Sequence, residues 1–203
     1  MTAPPRRWKG VALRLVIVLA LQAAALGWMV MSRAELLRTG AEVTLNVVPV
    51  DPRDLFRGDF VRLQYDITTL RPGVIGGDSG FSARDPIWVV LDTSLAGPAR
   101  PAGVFKHQPP ALPERTVIRG RVVSAYEGPP PVDDPEGCPA PCRTLRVDYG
   151  IEQYFVPEGE GRNLENVRND GRVTVVVAVD SDGRAAIKKL LVDGIERYQE
   201  PLF

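Results

Sequence analysis

The sequence predicts a mainly β exported domain with one short helix, preceded by a single N-terminal transmembrane helix. Three observations predict it. An apolar run stands near the start of the 203 residues, apolar and polar residues then alternate with period two, and 19 Pro and 19 Gly break the rest into short stretches. The length fits one domain with an anchor.

The apolar run is Leu15–Met31, in which Gln22 is the one polar residue. Counting back to Val11 gives 21 residues, with Arg14 able to snorkel. A spanning helix needs about 20. A cleaved leader would have a shorter core and a small-x-small site. Ala23-Ala24-Ala25 or Ala25-Leu26-Gly27 offers one, yet the run continues to Met31, which favours an uncleaved anchor over a signal peptide or a buried soluble helix. Charge sets the orientation. Of the 25 bases and 25 acids, Arg6, Arg7, Lys9 and Arg14 lie in residues 1–32 with no acid. The remaining residues therefore hold 21 bases against 25 acids. Positive charge before the span keeps the N-terminus in the cytoplasm and sends the body across. An acidic body argues against nucleic acid as a partner. The organisation read from this is a cytoplasmic leader 1–14, a span 11–31 lying in the lipid bilayer, a stalk 32–40 that continues the helix, and an exported domain 41–203.

Along the domain, Glu42–Val50 alternates with Val43, Leu45 and Val47 on one face. Asp51-Pro-Arg-Asp54 is a turn. Asp59–Ile67 alternates again, Val61, Leu63 and Tyr65 opposing Arg62 and Gln64. Ile87–Leu91, Thr116–Tyr126 and Thr144–Ile151 are further strands. Arg172–Val179 and Ala185–Val192 form a hairpin about Asp180-Ser-Asp-Gly183. That turn also resembles a fragment of a calcium loop, but Leu191 stands where the twelfth-position glutamate would be. The one helix is placed at Gly161–Asn169. Glycine-rich Arg71–Asp85 and proline-rich Gly97–Pro113 and Gly128–Pro141 are read as surface loops.

Chemistry-bearing patterns are sparse. Zinc-protease, nucleophile-elbow, P-loop and dinucleotide motifs are missing from the sequence. The single histidine, His107, sits in a loop-like Lys-His-Gln-Pro context with no partner to make it a base. Cys138 and Cys142 read as a disulfide in an exported domain, with free thiols and a redox or metal role as alternatives. Asp51, Asp54 and Asp59 surround one turn, where they cap amides or hold a cation. Glu158 and Glu160 flank glycines and read as solvated loop acids or ligand contacts. No catalytic set, metal or cofactor is expected.

Gly58-Asp-Phe-Val-Arg-Leu-Gln-Tyr65 resembles the defining motif of the GDYXXLXY family of uncharacterised bacterial membrane-anchored proteins. Phe60 departs from it, a tyrosine in the family; keeping the ring without the hydroxyl points to packing. Pro49–Arg57 and Tyr149-Gly-Ile-Glu-Gln-Tyr-Phe-Val-Pro-Glu-Gly159 resemble the same family. The resemblance implies one span in the bacterial inner membrane, a domain outside the cytoplasm and a multi-pass membrane protein as partner; it implies no reaction. Its motif residues are the candidate binding set: Gly58, Asp59, Phe60, Leu63, Tyr65, Tyr154, Phe155, Pro157, Glu158 and Gly159. Read physically, Gly58 permits a turn, Asp59 accepts from nearby amides, Leu63 and Tyr65 enter the core, and Phe60 takes the opposite face. The expectation is a non-catalytic accessory or binding module for an envelope membrane protein. The alternative is a hydrolase or ligand-processing enzyme using acids near Asp59 or Glu158, on a degenerate architecture similar to type I signal peptidases. Aligning their serine motif on Gly58-Asp59 puts Val50 at the nucleophile, and valine cannot attack a carbonyl.

Overall fold

The computed structural model describes residues 6–48, 60–95, 97–110, 112–129, 138, 141–155 and 171–199. Helix α1 runs Arg6–Thr39. Its Gly10–Thr39 stretch is long and apolar enough to cross a membrane, with a mean hydropathy of 2.1 in a window of which nothing is buried. At 1.5 Å per residue those 30 residues extend about 45 Å, more than a hydrocarbon core of about 30 Å. Leu21, Leu26 and Trp28 are exposed, an arrangement unfavourable in water and favourable in lipid. The helix continues through Ser32–Arg38 and stops at Gly40, whose amide donates to the Leu36 carbonyl at 2.9 Å. Leu36 and Leu37 are buried with Ala178 and Ala186.

The strands among the described residues form two five-stranded antiparallel sheets and a two-stranded ribbon. The strands are β1 Ala41–Val48, β2 Phe60–Arg62, β3 Gln64–Tyr65, β4 Thr69–Leu70, β5 Pro86–Asp92 and β6 Arg100–Phe105. They continue with β7 Arg115–Gly128, β8 Cys142–Asp148, β9 Gln153–Phe155, β10 Val173–Val179, β11 Ala185–Val192 and β12 Ile195–Gln199. The first sheet has the order β12-β11-β10-β1-β3, the second β4-β8-β7-β5-β6, and the ribbon is β2-β9. The sheets share one core. Leu45, Val175 and Leu190 come from the first; Ile87, Leu91, Ile118 and Leu145 come from the second, and all are fully buried. Each such side chain contributes about 1.5–3 kcal/mol. Backbone bonds also tie the sheets: Ala99 N donates to Thr44 O at 2.8 Å, and Arg119 N to Gly183 O at 2.7 Å.

The alternation in β1 places Val43, Leu45 and Val47 in the core, as predicted, with Val43 opposite Val177 and Leu45 opposite Val175. The C-terminal hairpin is also as predicted. Asp180 Oδ1 accepts from the amides of Asp182 and Arg184, and its Oδ2 meets Arg184 Nε at 2.7 Å. The Asp180 side chain thus builds the turn and leaves no calcium loop. Cys138 and Cys142 form a disulfide, with Cα atoms 5.2 Å apart and both residues buried.

Several expectations need correction. Asp59–Ile67 is not one strand. The chain pairs with β9 through β2, then with β1 through β3, and turns into a short 3-10 helix at Asp66–Thr68. A period-two pattern cannot report a change of partner. The Thr144–Ile151 strand ends at Asp148, before a turn at Gly150. Gly97–Pro113 is not all loop, because β6 lies within it. Pro101 is tolerated there since β6 is the edge of its sheet and pairs beside a bulge at Val90/Leu91. Arg71–Asp85 holds a four-residue helix, α2 Pro72–Ile75, and a bridge between Gly77 and Val104. Gly77 has φ +104°, and a Cβ there would lie 2.1 Å from the Val104 carbonyl oxygen, so no other residue fits. β12 has no alternating pattern and was not foreseen; it is an exposed edge strand. The turn at Asp51–Asp54 and the helix at Gly161–Asn169 fall outside the described residues.

Candidate functional site

The two motif segments, far apart in sequence, are strand partners. In the β2–β9 ribbon Phe60 lies opposite Phe155, Val61 opposite Tyr154 and Arg62 opposite Gln153. The pairing extends one step further, Leu63 N donating to Glu152 O at 2.8 Å. Two buried tyrosines lock the segments reciprocally. Tyr65, from the first motif, donates its hydroxyl to the Ile151 carbonyl at 2.6 Å. Tyr149, from the second, donates to the Ile67 carbonyl at 2.7 Å. Burial first, and then the charge of Glu152, pushes both phenols well above the usual tyrosine range, so each hydroxyl stays a donor.

Alternation turns one side of the first motif inward and the other outward. Leu63 and Tyr65 are each about 1% exposed, in the core. Arg62 and Gln64 face a cleft of about 670 Å³, shared with Ser124 of β7, Arg146 of β8 and the turn that follows β8. The volume is that of a small-ligand site. Gly150, at φ +77°, turns the chain so that Asp148 and Glu152 come together on the cleft wall.

The two carboxyls lie close enough for each to move the other's proton affinity in opposite directions. Burial and the bond to Asp148 push Glu152 up to about 7. Asp148 is held below its ordinary value, chiefly by accepting from Glu152 and then by the Gly150 amide, with Arg62 and Arg121 nearby. Each also caps the turn: Tyr149 N donates to Glu152 Oε1 at 2.6 Å and Gly150 N to Asp148 Oδ1 at 2.9 Å. The pair can hold a proton beside the cleft and fix the turn. Among the described residues no group of three or more His, Cys, Asp or Glu is placed to hold a metal ion.

Of the residues singled out in sequence, the ribbon brings Phe60 and Phe155 opposite each other along the backbone, and Tyr154 is buried with its ring 6.3 Å from that of Tyr198, edge-on. Gly58, Asp59, Pro157, Glu158 and Gly159 lie outside the described residues, so the pairing of Asp59 with Glu158 that a hydrolase would need has no geometry here. Arg146, Asp148 and Glu152 also belong to the site, although none of them is among the motif positions that define the candidate set. The signal was present: two acids four apart around a glycine, directly after an alternating strand. Alternation puts Arg62 and Gln64 on the face away from the core but does not reveal the cleft they line.

A long apolar helix followed by an antiparallel β domain, with two motif segments paired beside a charged cleft, defines the class. The family model described as GDYXXLXY protein matches residues 22–190, and the chain belongs to the GDYXXLXY family. Neither the curated proteins nor the solved structures contain a match.

Proposed function

We propose that this chain is a single-pass membrane protein that serves as a non-catalytic accessory or binding module for a multi-pass protein of the bacterial envelope. Residues 11–31 span the inner membrane, residues 1–14 lie in the cytoplasm, 32–40 form a stalk, and 41–203 lie outside the cytoplasm. The leader charge and the exposed apolar helix support this topology. One observation carries the binding role: the paired motif segments expend their buried side chains on locking to each other and turn polar ones, Arg62, Gln64, Asp148 and Glu152, onto one cleft. That is the layout of a recognition surface on a rigid support.

The test is a photo-crosslinking residue at Gln153, on the cleft wall, in the full-length protein in native membranes, with Arg115 as the off-site control. Recovery of one multi-pass protein from position 153 and not from 115 is the expected result. Equal or absent adducts refute the reading. A reporter active only outside the cytoplasm, fused after Phe203, tests topology: a silent but well-expressed fusion refutes it.

The Asp148–Glu152 pair favours a second reading, a ligand-processing enzyme, because two carboxyls with divergent proton affinities form an acid–base couple. Against it, both already serve the turn amides.

A further inference from the structure

We infer that the cleft recognises an anionic group, carboxylate or phosphate, which it grips through Arg62 and Arg146. The inference rests on the cleft being a binding surface and names the chemistry it takes. The domain as a whole is acidic, so its surface repels anions on average. Against that background the cleft carries two guanidinium groups, Arg62 and Arg146, beside Asp148 and Glu152. Planar two-pronged donors match the oxygens of a carboxylate or phosphate.

Arg146 is free to meet a ligand. Arg143 on the same strand pairs with Glu127 at 3.0 Å, and Arg184 pairs with Asp180 at 2.7 Å. Among the described residues no carboxylate lies within ion-pair distance of Arg146. Its partners in the sheet register are Ser124 on β7 and Thr69 on β4, which carry hydroxyls and no charge. Ser124, Thr68, Gln64 and Gln153 line the same cleft and add neutral donors around an anion.

The carboxyls on the wall do not cancel this field. Below about pH 7 Glu152 carries a proton and no charge, and the charge on Asp148 faces Arg62 and Arg121. From the other elements packed on Glu152 come Tyr65 and Tyr149, both neutral. With Glu152 protonated the cleft is one charge more positive. Anion affinity therefore rises as pH falls through about 7, by about two- to threefold for one unit charge acting across a solvent-filled cleft.

The experiment is isothermal titration of the full-length protein, in neutral detergent at low ionic strength, with pyrophosphate and separately with citrate. Saturable binding is expected, weakened about tenfold or more in Arg146→Gln and in Arg62→Gln by loss of a charge-assisted bond, and unchanged in Arg115→Gln. Binding of citrate alone assigns the cleft to carboxylates, and of pyrophosphate alone to phosphates. No saturable binding of either, or binding as tight as the parent's in either cleft variant, overturns the inference, as does equal weakening in Arg115→Gln. If the anions fail while position 153 still crosslinks one partner, the binding-module reading survives and this inference does not.

Discussion

Removing one hydroxyl from either motif tyrosine tests how the site is held. Tyr65→Phe deletes the donor to Ile151 O, and Tyr149→Phe the donor to Ile67 O. Tyr65 and Tyr149 are 1% and 7% exposed. The phenyl ring still fills its place, so no cavity term arises. The loss is the stranded, buried carbonyl, about 1–3 kcal/mol each. Taking about 2 kcal/mol, the melting temperature of a domain of this size falls by roughly 4–8 °C. Both bonds join the same two segments, so the second substitution acts on a contact already loosened. The double variant should lose less than the sum, by about 0.5–1.5 kcal/mol. Thermal unfolding of the full-length protein in detergent, followed by circular dichroism, measures all three, with exposed Tyr126→Phe as control. Single variants within about 0.5 kcal/mol of Tyr126→Phe would refute the locking argument.

Glu152→Gln tests the raised proton affinity of Glu152. The folded-state value of Glu152, about 7, lies above its ordinary 4.5, so the folded protein holds the proton more tightly than the unfolded chain. That stabilisation is complete below about pH 4.5 and is lost as pH rises through about 7. Discounted for solvent reaching a half-buried group, it is on the order of 1–2 kcal/mol. Denaturant unfolding between pH 5 and pH 8 should show this slope in the parent and not in Glu152→Gln; an equal slope in both sinks the assignment. Gly77→Ala forces a Cβ onto the Val104 carbonyl at positive φ and should cost at least about 2 kcal/mol, read as a lower melting temperature; an unchanged value contradicts the bridge. Cys138→Ala with Cys142→Ala opens a very short loop and should cost about 2 kcal/mol. Denaturant midpoints that match the parent would show that the bond constrains little.

The strands with one inward face were legible in the sequence because alternation reports burial directly: Val43, Leu45 and Val47 in β1, Leu63 and Tyr65 in the motif. Asp180 and Gly183 likewise encode their turn locally. What alternation does not carry is the identity of the neighbour. Leu63 marks where the chain leaves β9 for β1, and nothing in its own sequence says so. β6 was hidden by Pro101, which is permitted only because the strand is an edge, a fact about the whole sheet. The cleft was hidden for the same reason: Arg146 and Arg62 are unremarkable surface residues until β2, β8 and the Gly150 turn bring them to one wall.

The pairing of β1 with β10 has a consequence for the order of assembly. Val43 waits for Val177, and closing a loop of that length costs about 4 kcal/mol of chain entropy beyond a constant. A chain emerging N-terminus first exposes the apolar face of β1 long before the valines that cover it are made. Among the described residues its other strand neighbour, β3, contributes two residue pairs. The first sheet therefore closes late, after the local β5–β6 and β5–β7 contacts, and folding is slow relative to a domain built from neighbouring hairpins. A chain stopped before Val173 would leave β1 as an open, valine-rich edge and uncover the core face of the second sheet, a form prone to aggregate.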